Sequence, residues 1–393
     1  MKYEVINPIP LDEFDIGLIF ANRGITSEDE MDFYYEPSMY KDLYEDVDLE
    51  SRLFDNVDRG FSLLDNHIKS ENKIGIVVDC DVDGYTSAAL MYLYIKNKFQ
   101  YPTEKLVYYV HDGKVHGISD IIGKVIEDNI QLLIVPDASS NEHDIHEQLN
   151  KHMDILVLDH HECTKGYSPS AVVINNQLSE NYPNKNLSGV GVVYKFLQYC
   201  EERYLDDWLS NEIDLRYYLD LVAVGIIADS MKINTHENRY YIHLGLNNIH
   251  NPFFRTLIEK NEYSLGSAAF FCKLIPHNVS FTIAPLMNAM VRVGSYENKV
   301  AMFEAMIGIN YDKVFTRTWR GTTTEENIAE LVTRECNNAK NRQGKLRDKA
   351  NDIFDSIQNK PLLISDVSWN KSVGESPIIW FDLNEHLADA RNL

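Results

Sequence analysis

The sequence predicts an α/β protein: a parallel sheet with helices on both faces, a helical N-terminal preface and a long connecting helix at the C-terminal end. Two patterns carry that prediction. Short apolar, β-branched runs alternate with segments whose apolar residues recur at helical spacing, which implies right-handed crossovers onto a buried parallel sheet. The first run, Ile74–Val78, is followed at once by Asp79, Asp81 and Asp83, then by Gly84 and a Thr-Ser pair that opens an apolar helix. Strand, acidic turn and helix in succession is how an open α/β sheet builds a site at the carboxyl end of a strand.

In chain order, residues 1–70 read as a mostly helical preface. Pro8 and Pro10 mark an extended entry, 14–22 a short helix, and Ser27-Glu28-Asp29-Glu30 the capping-box start of another. Residues 53–68 carry apolar side chains at helical spacing and lead into the first strand. The main domain, 71–310, adds strands at 105–110, 131–135, 155–158 and 171–174, with helices at 118–128 and 142–151. Helices then dominate, at 191–203, at 215–228 and in shorter pieces from Arg239 onward. The polar, basic-leaning stretch over 313–355 reads as a connecting helix within 311–360, its cations from Arg317 to Lys349 most simply a solvated face. Two strand-like runs, 362–365 and 377–381, are too little for a domain, so 361–393 reads as an incomplete or vestigial second domain.

A chain of 393 residues is long enough for more than one domain. Its net charge of -23 argues against a broadly basic nucleic-acid surface, though not against a local groove. The five cysteines form no CxxC pair and are odd in number, which fits a reducing compartment without disulfides or structural zinc. No signal-peptide core and no apolar run of membrane-spanning length is present, so a cytoplasmic protein is expected.

Three carboxylates as close as Asp79, Asp81 and Asp83 repel unless a cation or solvent offsets them. The turn therefore reads either as a site for a hard divalent metal or as a solvated Asp-rich loop. An EF-hand loop is disfavoured, because Gly84 is not followed by the ligand spacing and closing Glu it needs. The other strand ends decide between the two. Asp137 follows the run at 131–135, Asp159, His160 and His161 follow that at 155–158, and an almost wholly apolar helix ends at Asp229. A single such Asp is more often a helix cap or an ion-pair partner; four endings in one α/β unit are not explained that way. Carboxylates and imidazole without cysteine suit Mn²⁺ or Mg²⁺, and the donors suffice for two ions.

Asp-Cys-Asp-Val-Asp-Gly, Pro-Asp-Ala-Ser-Ser, Asp-His-His and the Asp229 segment, in this order and spacing, resemble the four motifs of the DHH phosphoesterase superfamily. Over roughly residues 8–310 the chain is similar to the RecJ-type single-strand-specific exonucleases. Ala21-Asn-Arg-Gly-Ile-Thr26, Asn186-Leu-Ser-Gly-Val-Gly-Val192, Asn238-Arg239 and the stretch from Ala284 to Arg292 resemble further segments of that family. The resemblance implies a metal-dependent phosphodiesterase that cleaves nucleotides from the 5′ end of single-stranded DNA. It implies Asp81 and Asp83 each on one of two Mn²⁺ ions (Mg²⁺ as the alternative), Asp137 bridging, and His160 and Asp229 completing the shell of the second ion. His161 then faces the scissile phosphate, Asp159 orients the histidines and Asp79 is a ligand or supports one. Ser139, Ser140, Asn288 and Arg292 are the expected substrate contacts.

There are departures from the family pattern. Val77 stands where many members have histidine, Ala138-Ser139-Ser140 replaces a tighter glycine turn, and Val291 replaces a glycine. The family's second domain, with its Gly-Gly-Gly-His segment, and the following OB fold find no counterpart here. The expectation is therefore weak strand grip, relieved by a protein partner that supplies the second domain. Two other readings stand beside this one: a phosphodiesterase for short oligonucleotides or cyclic dinucleotides, and a non-catalytic DHH adaptor in a replication or repair complex, for which intact metal ligands are not needed.

Overall fold

The computed structural model describes residues 16–37, 48–204, 211 and 213–358. Helices α1 (Ile16–Ala21) and α2 (Glu28–Tyr35) come first. The expected capping box starts α2: Ser27 Oγ accepts from Glu30 N while the Glu30 carboxylate accepts from Ser27 N. Helix α3 (Val57–Lys69) buries Leu64 and Ile68 on one face and delivers the chain to the sheet.

That sheet holds β1 (Ile74–Val78), β2 (Leu106–Val110), β3 (Leu132–Pro136), β4 (Asp154–Asp159) and β5 (Val172–Asn175). All pairs are parallel, in the order β2-β1-β3-β4-β5. Strands this apolar need cover on both faces, since alternate side chains point to opposite sides. Ile74, Ile76, Val78, Ile134 and Leu156 enter one core. It is shared with α4 (Val82–Phe99), and Val77, Leu133, Val135 and Val157 enter the other. The short helices α5 (Ile122–Glu127) and α6 (His143–Leu149) close the second face with Val125 and Leu149. The order reverses at β1, so the crevice between β1 and β3 is the topological switch point where such sheets bind ligands.

Helices α7 (Gly189–Tyr204), α8 (Leu219–Ala228) and α9 (His236–Asn247) pack with α4 beneath the first face. Gly245 lets α9 approach α8 closely, because a Cβ there would lie 2.1 Å from the Leu219 carbonyl oxygen. The Asn238-Arg239 pair serves this architecture: Asn238 Nδ2 donates to the carbonyls of Asn186 and Lys232, and Arg239 lies over the Tyr34 ring at 3.4 Å, fastening α2 to α9.

Beyond these come α10 (Pro252–Glu259), α11 (Glu262–Leu265), α12 (Ser267–Phe271) and α13 (Pro276–Asn278). A π-helical turn, Val279–Ile283, runs directly into α14 (Ala284–Val293), followed by α15 (Tyr296–Met306). The expected connecting helix over 311–360 is corrected at its start. A hairpin, β6 (Phe315–Trp319) with β7 (Thr322–Glu326), precedes it, and α16 spans Ile328–Gln358. The reason is local. Arg320 and Gly321 both take positive φ (48° and 83°), the two-residue turn that matches strand twist, and the flanking threonines are β-branched. The strand-like runs at 362–365 and 377–381, and with them the second-domain reading of 361–393, lie outside the described residues. No helix among the described residues is long and apolar enough to cross a membrane.

Candidate metal centre

Strand register sets the centre. Ile76 pairs with Ile134, and Ile134 with Leu156. Three residues further along each strand stand Asp79, Asp137 and Asp159, in one row across the carboxyl edge. Asp81 then caps α4, its Oδ1 accepting from Gly84 N at 2.9 Å. Gly84 is required beside Asp79: a Cβ there would sit 2.6 Å from the Asp79 Cβ and 2.8 Å from its carbonyl oxygen. Asp83, in the first turn of α4, is buried and faces the N-terminus of α7. It accepts from Gly189 N at 2.6 Å, Val190 N at 3.2 Å and Ser188 Oγ at 3.1 Å.

Four donor groups draw together at this edge, each with ligand atoms within 4.8 Å of one another. Asp79, Asp81 and Asp137 form one, and Asp83, His160 and Asp229 another. Asp137, His160 and His161 link them. A further group, Asp79, Cys80 and His116, adds a sulfur that the sequence reading had left out. His160 Nε2 lies 3.2 Å from Asp137 Oδ1, 3.5 Å from Asp229 Oδ2 and 3.9 Å from Asp83 Oδ2. Asp229 comes to this place as the C-cap of α8.

The donor set fits divalent cations. Asp137 Oδ1 and His160 Nε2 are buried and make no hydrogen bond among the described residues, a costly arrangement unless something else satisfies them. Burial drives His160 down to about 4, so its ring is neutral and presents a lone pair. Burial, then the charges of Asp229 and Asp81, push Asp83 up to about 8. Asp137 is raised for the same reasons, burial first and Asp83 next, and burial with Asp81 lifts Asp229 to about 6. Oxygen and imidazole ligands crowded until they resist ionisation are what a hard divalent ion relieves.

The two histidines of the Asp-His-His run diverge. Asp159 is buried and accepts from the backbone N–H of His160 and His161, from Ser140 N and from His161 Nδ1 at 2.8 Å. This bond to Asp159 raises His161 to about 9, and the hydrogen bond from His161 helps hold Asp159 well below the usual carboxylate range despite its burial. His161 is half-exposed, with Nε2 its remaining ring nitrogen.

The four expected substrate contacts divide into two pairs. Ser139 and Ser140 are buried and engaged inside the fold. Ser139 Oγ donates to Glu142 and meets His146 Nε2, while Ser140 Oγ accepts from Asn175 Nδ2. Positive φ at Asp137 (64°) and Ser139 (85°) turns this loop inward, which a polar run at a strand end does not announce. Asn288 and Arg292 sit one turn apart on α14; Arg292 is exposed and makes no ion pair among the described residues. Sequence reasoning missed His116, whose Nδ1 lies 2.6 Å from Asp79 Oδ2, beside Gly117 N donating to Asp79 Oδ1. It also missed the role of Ser188-Gly189-Val190 as the clamp on Asp83.

Residues 73–226 match the DHH family, N-terminal domain, and the chain carries that domain. It is homologous to the RecJ-like single-strand DNA exonucleases. YorK of the SPbeta prophage in Bacillus subtilis (strain 168), provisionally named a single-strand DNA-specific exonuclease, is 34% identical over 370 residues, 93% of this chain and 60% of YorK. The single-stranded-DNA-specific exonuclease RecJ of Escherichia coli (strain K12) is 25% identical over 298 residues, 72% of this chain and 48% of RecJ. The chain thus spans less than two thirds of these relatives. Among solved structures, exonuclease RecJ bound to manganese matches with TM-score 0.59 at 19% identity, over 76% of this chain and 68% of that one. RecJ from Thermus thermophilus in complex with Mn²⁺ matches with TM-score 0.60 at 20% identity, over 85% and 42%.

Proposed function

We propose that the chain is a two-metal phosphodiesterase that removes nucleotides from the 5′ end of single-stranded DNA as nucleoside 5′-monophosphates. The observation that carries this reading is the pair of donor groups joined where Asp137 Oδ1 and His160 Nε2 stand 3.2 Å apart, buried and unsatisfied. Asp79, Asp81 and Asp137 would hold one ion and Asp83, His160 and Asp229 the other, Mn²⁺ with Mg²⁺ as the alternative. Bound there, the ions would activate a water for attack on phosphorus and neutralise the phosphate oxygens. The chain's own groups do the rest. Asp159 fixes the tautomer of His161 and keeps its ring protonated, so that Nε2–H can meet a phosphate oxygen or protonate the leaving 3′-oxygen. Arg292 offers a bidentate grip on a further phosphate, with Asn288 beside it. The single-strand DNA named for YorK and for RecJ supports the choice of substrate.

The test uses strands labelled at either end, a dinucleotide and a cyclic dinucleotide, each with Mn²⁺. Wild type is expected to release the 5′ label as a mononucleotide, and Asp137→Ala to release none while keeping its circular dichroism spectrum. Turnover of the small substrates alone would overturn the strand reading, and release of the 3′ label first the polarity. Full activity of Asp137→Ala would end the two-metal assignment.

A further inference from the structure

Residues 263–296 contain neither Asp nor Glu, in a chain that has 60 of them, and no other stretch runs so long without one. The same segment holds the four most exposed large hydrophobic side chains among the described residues: Tyr263 at 99%, Phe270 at 84%, Phe281 at 71% and Phe271 at 66%. They are organised in part as ring pairs. Phe270 and Phe271 stand edge to face with centroids 4.9 Å apart, and His277 is tilted over Phe281 at 4.6 Å. The segment's cations, Lys273 and Arg292, are both exposed and make no ion pair among the described residues.

Position ties this surface to the metal centre. Phe281 lies on the π-helical turn, which packs against α8, the helix capped by Asp229. The turn continues without a break into α14, which carries Asn288 and Arg292. A π-turn inside a helix is a common mark of a functional site.

Exposed rings and unpaired cations on one segment that carries no carboxylate of its own complement the two chemical faces of a single strand: bases that stack and phosphates that need positive charge. A second copy of this chain would bring its own net charge of -23 to the same face and complements it less well. We propose that Phe270 with Phe271, and His277 with Phe281, form a base-stacking platform. A single-stranded polynucleotide lies across it between Lys273 and Arg292, on its way to the metal centre. This rests on the strand-cleaving reading above, for which it supplies a strand-binding surface within the chain itself.

The experiment measures binding in EDTA of an oligonucleotide of about 20 nucleotides, and of an abasic strand of the same length, to wild type and to Phe270→Ala/Phe281→Ala. The double variant is expected to lose about tenfold or more in affinity for the base-bearing strand and to bind the abasic strand as wild type does. Phe270→Trp/Phe281→Trp should keep the affinity and show indole fluorescence quenched by the strand. Unchanged affinity of the alanine variant, an equal loss on the abasic strand, or a wild type that binds no strand would each overturn the platform. So would a wild-type dimer that the alanine variant breaks while strand affinity stays the same, which would assign the face to protein contact. Dinucleotide hydrolysis, followed alongside, is expected to survive in the alanine variant. A wild type that hydrolyses nothing, yet binds strands through Phe270 and Phe281, would remove the hydrolase reading and leave the platform standing.

Discussion

His160 and His161 have rings 4.4 Å apart, yet their surroundings drive them in opposite directions. Burial keeps His160 neutral, and Asp159 keeps its neighbour charged. Their variants should therefore separate. His160→Ala is expected to lose bound Mn²⁺, measured by elemental analysis of the dialysed protein. His161→Ala should keep its metal content and lose turnover by about 10²-fold, as for a removed acid or charge stabiliser. A third histidine bears on stability. His146 is buried, and burial pushes it down to about 4. Its folded value lies below its unfolded one, so the unfolded chain binds the extra proton. Its contribution is complete above about pH 6.5 and is lost as pH falls towards 4. Urea unfolding at pH 7.5 and pH 5 should show a drop that His146→Gln lessens by about 2 kcal/mol.

Among the elements, two glycine helix positions give opposite expectations. At Gly189 a Cβ would lie 2.2 Å from Asp137 Oδ1, so Gly189→Ala must displace the carboxylate or the start of α7. Turnover is expected to fall by roughly 10²-fold, as for a reacting group displaced by about an ångström. Gly123, in α5, has nothing within 4 Å of its Cβ position, and Gly123→Ala should stabilise by roughly 0.5–1 kcal/mol without touching activity. Steady-state kinetics and urea titration of the pair distinguish the two roles. The same contrast explains what the sequence made legible. β1, β3 and β4 were readable because a fully buried parallel strand is apolar on both faces, so an aspartate at its end stands out. His116 was not readable, since it reaches Asp79 from a loop after β2 with no periodicity to mark it. The Arg320-Gly321 hairpin is not legible in the sequence, because its exposed threonines and charges match a polar helix face and only the two positive φ values set it apart.

For the whole molecule, the dominant quantity is the net charge of -23. On the strand-binding reading proposed above, a polyanionic strand would approach against that field except where 263–296 and bound metal ions offset it. Few phosphates can then be neutralised at once. With about three contacts, the slope of log affinity against log salt should be about -2 for a single strand, and a titration from low to physiological salt reads it directly. A slope several times steeper would reveal a longer cationic track. Under the shallow slope, product length followed after adding a trap of unlabelled strand should show release after few cuts.

Asp137 and Ser139 hold left-handed backbone conformations, and so does Ser230 (φ 59°), the residue directly after Asp229. None is glycine, and each such residue costs on the order of 1 kcal/mol or more. Two of the loops that carry the donors are therefore held like wound springs by the sheet and helices behind them. Hydrolysis, in the reading proposed above, is in this sense a standing mechanical load on the fold. Asp137→Gly shows the trade in one step. It should raise the melting temperature of the metal-free protein by a few degrees, since glycine adopts this conformation freely and one crowded carboxylate is gone, while extinguishing turnover.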